Sequence, residues 1–465
     1  MEKRKKKTVI LAIAIVILLS VLFCIFYMVT YDDEWWIREG VGYEFITDED
    51  GVIVDIKITE EKVKVVIPDG ATISSWLSNL GGHDEIIAIR FEGNCNFSLV
   101  GIREAQRRGF SECLNLKKVI FSEGITYVPV GFFIGCSSLE KISFPSSLEG
   151  INESAFEGCT ALAKITFPES VKEIGYNAFK ECTSLEKISF PSSLEVIDYG
   201  AFERCTALAE ITLPESVKEI GYNAFKECTS LEEISFPSSL EIIKDSAFEG
   251  CTALAEIAFP ESIKKIQKCA FRGCSSLEKI SFPSSLEVLG AHAFEGCTAL
   301  AEITLPESIK VIAECTFKGC SALKQVTIPR SLKNLSIEMF AECTSLESIE
   351  LPQSLTHLPS GIFAGCTSLE SIELPRSLYS IGEFAFGNCT ALAEITFPAS
   401  LRRIYDRAFS NCVSLSVCEF NDGLKTIGSQ AFINCRSLLV TSIPATVTEL
   451  SDDAFENCAI VMGET

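Results

Sequence analysis

Histidine is nearly missing from this chain. His83, His292 and His357 are the three in 465 residues, and they lie far apart. No Cys-x-x-Cys pair, His-Glu-x-x-His, Gly-x-Ser-x-Gly or phosphate-binding glycine loop occurs. Zinc sites, nucleophilic catalysis and phosphoryl transfer are built on such sets. The sequence therefore predicts no metal, no cofactor and no enzymatic activity. Positive charge is also scarce: 40 Lys and Arg against 63 Asp and Glu leave a formal charge of -23. A surface of that sign repels phosphate backbones, which argues against nucleic acid as a partner. A third absence is more telling. Between Cys113 and Cys458 there is no insertion or deletion.

Cysteine recurs at Cys113, Cys136, Cys159, Cys182, Cys205, Cys228, Cys251, Cys274, Cys297, Cys320, Cys343, Cys366, Cys389, Cys412, Cys435 and Cys458, in 15 equal steps of 23 residues. Self-similarity at a fixed period marks a solenoid. In the unit that begins at Cys182, Leu-x-x-Ile-x-Phe (Leu185 to Phe190) reads as a short strand with Ile188 and Phe190 inward and Lys187 and Ser189 outward. Pro191 cannot donate to a ladder and ends the strand. Ser192 and Ser193 supply a turn, and Leu194 and Ile197 return to the core. Asp198 to Phe202 reads as a turn into one short helical turn, with Ala201 and Phe202 buried. One unit has too few apolar anchors to offset its ordering entropy, so the array is the folding unit. Between Cys136 and Lys318 the units alternate between Pro-Ser-Ser-Leu and Pro-Glu-Ser, a true period of 46 residues.

The pattern Leu-x-x-Ile-x-Phe/Leu-Pro-x-Ser-Leu-x-x-Ile-x-x-x-Ala-Phe-x-x-Cys resembles the 23-residue leucine-rich repeat of BspA-like, treponemal-type surface proteins, strictly over 113–465. The resemblance implies a right-handed leucine-rich-repeat solenoid with a parallel β-sheet on the concave face and short helical turns or loops on the convex side. Departures cluster at the C-terminus, where Asn421 replaces the proline and Cys418 and Thr441 replace the inward Ile.

Twenty-one cysteines outside the cytoplasm would ordinarily suggest disulfides. Here sixteen hold one equivalent place per rung, so their side chains run parallel, whereas a disulfide needs two that converge. They read as a buried column of free thiols acting as small hydrophobes.

Residues 1–7 form a basic tail, and Thr8 to Thr30 carry no charge, long enough to cross a bilayer. The expected order is a cytoplasmic tail, a transmembrane helix at 8–30, a linker at 31–43, degenerate capping repeats at 44–112, and the solenoid at 113–465. The charge bias places the repeats outside the cell membrane. Small residues before a cut site, expected of a cleaved signal peptide, are absent.

Outward strand residues form columns. One runs Lys118, Lys141, Lys164, Lys187, Glu210, Glu233, Glu256; the column two residues on includes Ser143, Thr166, Ser189, Thr212 and Ser235. Four lysines followed by three glutamates repel their own kind, a cost that a bound protein would relieve. Two bland alternatives are that Glu140 and Glu186 screen the lysines and that duplication alone copied the charges. The family resemblance implies an adhesin or receptor-like protein gripping a host or neighbouring-cell protein. A structural envelope component, and a carrier that positions an enzyme or assembles with its own copies, are the other readings.

Overall fold

A proline two residues on closes most of the three-residue strands in the array. A computed structural model describes residues 42–47, 49–74, 83–93, 95–98, 109–440 and 442–461. The expected membrane helix at 8–30 and its basic tail lie outside the described residues. Among the described residues, no helix is long and apolar enough to cross a membrane.

Ahead of Pro191 the strand is Lys187–Ser189, shorter than the Leu185 to Phe190 stretch expected. It pairs in parallel with the preceding rung, Lys164 opposite Lys187 and Thr166 opposite Ser189. From Lys164 to Thr327 this first ladder is continuous only in twos: Glu210–Thr212 pairs with Glu233–Ser235, and Glu256–Ala258 with Lys279–Ser281, with no strand pairing between the twos. The interruption follows the 46-residue period. Ile165, Ile211, Ile257 and Ile303 are buried, while Ile142, Ile188, Ile234 and Ile280 on the alternate rungs are only partly so.

A second ladder was not foreseen. Val196–Ile197 pairs with Glu173–Ile174, and nine such two-residue strands run unbroken from Tyr127–Val128 to Val311–Ile312. Between the ladders, Ser193 Oγ donates to the Val171 carbonyl of the rung before (2.6 Å). Glu169 accepts from both the amide (3.0 Å) and hydroxyl (2.8 Å) of Ser192, and Glu215 does the same for Ser238. A Pro-Glu-Ser rung followed by a Pro-Ser-Ser rung thus closes a hydrogen-bonded pair, a physical reason for the two-rung period.

The expected helical turn is corrected. No helix occurs among the described residues, and the stretch 198–204 is a chain of tight turns. Within it, N–H groups alternate in direction. Ala201, Glu203 and Cys205 donate within the rung, while Gly200, Phe202 and Arg204 donate to Tyr222, Ala224 and Lys226 carbonyls of the next rung at 2.7–2.8 Å. Left-handed backbone at Gly200 (φ 59°) and Arg204 (φ 62°) brings this about. The second of these positions, just before each cysteine, is left-handed in every rung from Glu112 to Asn457, whether it holds Gly, Glu, Arg or Asn.

Inside, one phenylalanine per rung stacks on the next from Phe110 to Phe455, with centroids 5.0 to 6.1 Å apart. A second aromatic column meets it edge-on, as Phe190 does Phe202 at 5.7 Å. The cysteines line up beside the stack. From Cys136 to Cys458 each Sγ faces the carbonyl of the phenylalanine 26 residues earlier, as Cys228 does Phe202 (3.3 Å). All twenty described cysteines are free. The thiol gives an otherwise buried carbonyl a weak donor while filling apolar space.

At the N-terminal end, Tyr43–Thr47 lies antiparallel to Ile53–Ile58, and Val63–Ile67 and Ile86–Phe91 extend the first ladder to Lys118–Ile120. Further along, both strand ladders lapse together: among the described residues neither has a strand between Thr327 and His357. The turn bonds and the phenylalanine stack carry the array across, with Phe340 N–H donating to the Ile362 carbonyl (3.0 Å).

Candidate functional site

Period-two alternation on the first ladder turns one residue before and one after each inward Ile to solvent. Lys141, Lys164, Lys187, Glu210, Glu233 and Glu256 are all exposed, as are Ser143, Thr166, Ser189, Thr212 and Ser235. Lys118 departs from the expectation. It is only 9% exposed, lying between Ala88 of the longer strand Ile86–Phe91 and Lys141. The exposed stripe is thus three lysines, then three glutamates.

Their surroundings differ from the screened arrangement considered above. Glu140 reaches Lys117 (3.8 Å), not a lysine of the stripe. Lys164 and Lys187 are directly opposite on paired strands, as are Glu210 and Glu233. Among the described residues, Lys141, Lys164, Lys187, Glu210 and Glu233 form no ion pair. Only Glu256 is held, by Lys279 at 3.1 Å.

The second ladder shows what a self-neutralising column looks like. From its second strand on, the residue before each strand runs Glu149, Lys172, Glu195, Lys218, Glu241, Lys264, Glu287, Lys310, with opposite signs at every step. Lys264 meets Glu241 and Lys310 meets Glu287, both at 2.7 Å. These lysines hold the two carboxyls below the usual carboxylate range.

Duplication does not account for the first-ladder pattern. Residues 159–181 and 205–227 are the same sequence except at two positions, Lys164 against Glu210 and Phe167 against Leu213. Residues 182–195 and 228–241 differ only by Lys187 against Glu233. Near-identical copies therefore reverse charge at this column and keep almost everything else. An open groove of about 910 Å³ crosses the same face at the unpaired step between Glu233–Ser235 and Glu256–Ala258, and Glu232, Ala255 and Lys279 are among its lining residues.

One surface escaped the sequence reading. Tyr176, Tyr199 and Tyr222 stand one per rung on the turn side; the first two stack at 4.7 Å, and Lys244 lies 5.6 Å from the third ring. Their spacing of 23 was the available signal. Among the described residues, no group of three or more His, Cys, Asp or Glu side chains could hold a metal ion.

The family described as BspA type leucine rich repeat region (6 copies) matches residues 94–185, 241–370 and 356–462. No curated protein matches. Among solved structures, a leucine-rich repeat protein from Bacteroides ovatus is 30% identical, with a TM-score of 0.64, covering 85% of this chain and 91% of its own. A leucine rich cell surface protein from Faecalibacterium prausnitzii is 24% identical, with a TM-score of 0.43, covering 82% and 93%. The leucine rich repeat protein of T. pallidum is 26% identical, with a TM-score of 0.34, covering 47% and 90%.

Proposed function

The chain belongs to the BspA-type leucine-rich-repeat family, and from that premise we propose that it is a membrane-anchored, extracytoplasmic protein that binds a protein partner over the first ladder. The observation that carries this reading is the segregated column: three unpaired lysines followed by glutamates, on copies that otherwise hardly differ. Holding like charges in register costs stability, and a partner of complementary charge relieves that cost. The second ladder, alternating and internally paired, offers no such incentive. A binding role asks nothing of a catalytic centre, in keeping with the three scattered histidines.

The test uses cells displaying the full chain. Protease added to intact cells should remove the repeats, placing them outside. The purified chain should then capture a protein partner, and Lys141→Glu, Lys164→Glu and Lys187→Glu together should weaken that capture. So should salt, since the Debye length falls from ~10 Å at 0.1 M to ~3 Å at 1 M. Repeats protected from protease until lysis, or capture indifferent to both charge and salt, would overturn the reading.

A further inference from the structure

The column on the first ladder reads plus, plus, plus, minus, minus, minus, a pattern that is its own complement when turned end for end. We infer that the partner at this face is a second copy of the same chain, related by a two-fold axis that lies along the strands, midway between the Lys187 and Glu210 rungs. This deepens the binding role proposed above and rests on it. Such an axis reverses the direction of the solenoid and keeps each strand position opposite its own column. Lys141 then faces Glu256 of the second copy, Lys164 faces Glu233, and Lys187 faces Glu210. Every contact occurs twice, as an isologous interface requires.

Two further columns fit this register and were not used to choose it. The residue before the charged position alternates between glutamate and alanine: Glu140, Ala163, Glu186, Ala209, Glu232, Ala255. Under the same axis Glu140 meets Ala255, Ala163 meets Glu232 and Glu186 meets Ala209, so no carboxylate opposes another. In the column after it, Thr166 meets Ser235 and Ser189 meets Thr212, hydroxyl against hydroxyl. The next charge outward is Lys279, which would face Lys118. Lys118 is buried, and Glu256, 3.1 Å from Lys279, is shared between that lysine and Lys141 of the second copy. The axis also passes through a step where the first ladder has no strand pairing.

An unrelated acidic partner would account for the lysines alone. It would leave the glutamate block without a partner. Because the axis reverses the solenoid, chains anchored at their N-terminal ends meet from two facing surfaces, as in homophilic contact between cells.

The experiment is sedimentation equilibrium of the purified full chain in detergent micelles, with three variants. The parent should self-associate to a dimer. Lys141, Lys164 and Lys187 all changed to Glu, or Glu210, Glu233 and Glu256 all changed to Lys, should each weaken dimerisation by ~10-fold or more, since attraction at every cross pair becomes repulsion. Mixing those two variants should restore a one-to-one complex, and the chain carrying all six changes should dimerise again. Restoration excludes misfolding as the cause of the loss. A parent that stays monomeric, or a dimer that survives the half-reversed patterns, overturns the inference. Capture of a different protein by the parent, lost on the lysine changes without any self-association, would sink this inference while leaving the proposed binding role standing.

Discussion

Alkaline pH should take this array apart, and the cysteine column should be the cause. Burial pushes the Cys228 and Cys274 thiols up from 9.0 to about 12, and drives Cys159, Cys205 and Cys251 well above the ordinary value. The unfolded chain has no such burial. With the folded pKa raised, the stabilisation is complete below about pH 9 and is lost as pH climbs towards 12. At pH 10 a solvated thiol of ordinary pKa gains ~1.4 kcal/mol by ionising while its buried counterpart gains almost nothing. Over the fifteen column thiols that burial raises, this amounts to ~20 kcal/mol, of the order of the ~0.05–0.15 kcal/mol per residue that holds a folded chain of this length. The assay is urea unfolding followed by circular dichroism at pH 7 to 10.5 under reducing conditions, for the parent and for Cys205→Ala, Cys228→Ala and Cys251→Ala combined. The variant loses packing at neutral pH, yet ~4 kcal/mol of the alkaline destabilisation at pH 10 should disappear with the three thiols, if their rungs unfold as one unit. Lysine and tyrosine titrate alike in both chains, so the difference isolates cysteine. Thiolate ultraviolet absorbance rising near pH 9 with the circular dichroism intact would refute the reasoning.

Two further outcomes follow from the core and the turns. Phe202 is fully buried between Phe179 and Phe225 at 5.5 and 5.4 Å, so Phe202→Ala should cost ~3–5 kcal/mol. Hydrogen exchange should show neighbouring rungs opening first, and unchanged protection near residue 202 would count against that. Glu342 holds a left-handed backbone (φ 62°) where the flanking rungs have Gly319 and Gly365. Glu342→Gly should therefore be more stable than Glu342→Ala by ~1 kcal/mol; equal denaturation midpoints would mean that the turn relaxes.

Much of the architecture was written in the spacing of one residue type. The cysteines fixed the rung length, the alternation around Ile188 told inside from outside, and parallel side chains argued against disulfides. What stayed hidden was what a 23-residue text encodes weakly. Val196–Ile197 is too short to show a period of two, so the second ladder could not be read. Arg204 and Glu181 are not residues one assigns to left-handed backbone, although Gly135, Gly158 and Gly250 at the same place in other rungs carried the signal. At the candidate site the outward columns were legible. Which charges were paired was not, because pairing depends on neighbours 23 residues away: Glu140 chose Lys117, and Lys118 lay buried.

The two-rung hydrogen-bonded pair also governs how such a chain can change length. Excising residues 182–227 would join Glu181 to Cys228, keeping the count of 23 and restoring a Pro-Glu-Ser rung followed by a Pro-Ser-Ser rung. Glu169 would find Ser238 where it had Ser192, and the phenylalanine stack would close over the missing step. On the first ladder the excision removes one lysine and one glutamate, leaving Lys141 and Lys164 followed by Glu233 and Glu256. The charge pattern would shorten from three and three to two and two without losing its symmetry. Recombination between near-identical copies can thus adjust the reach of this chain in steps of 46 residues while the order of positive before negative survives each event.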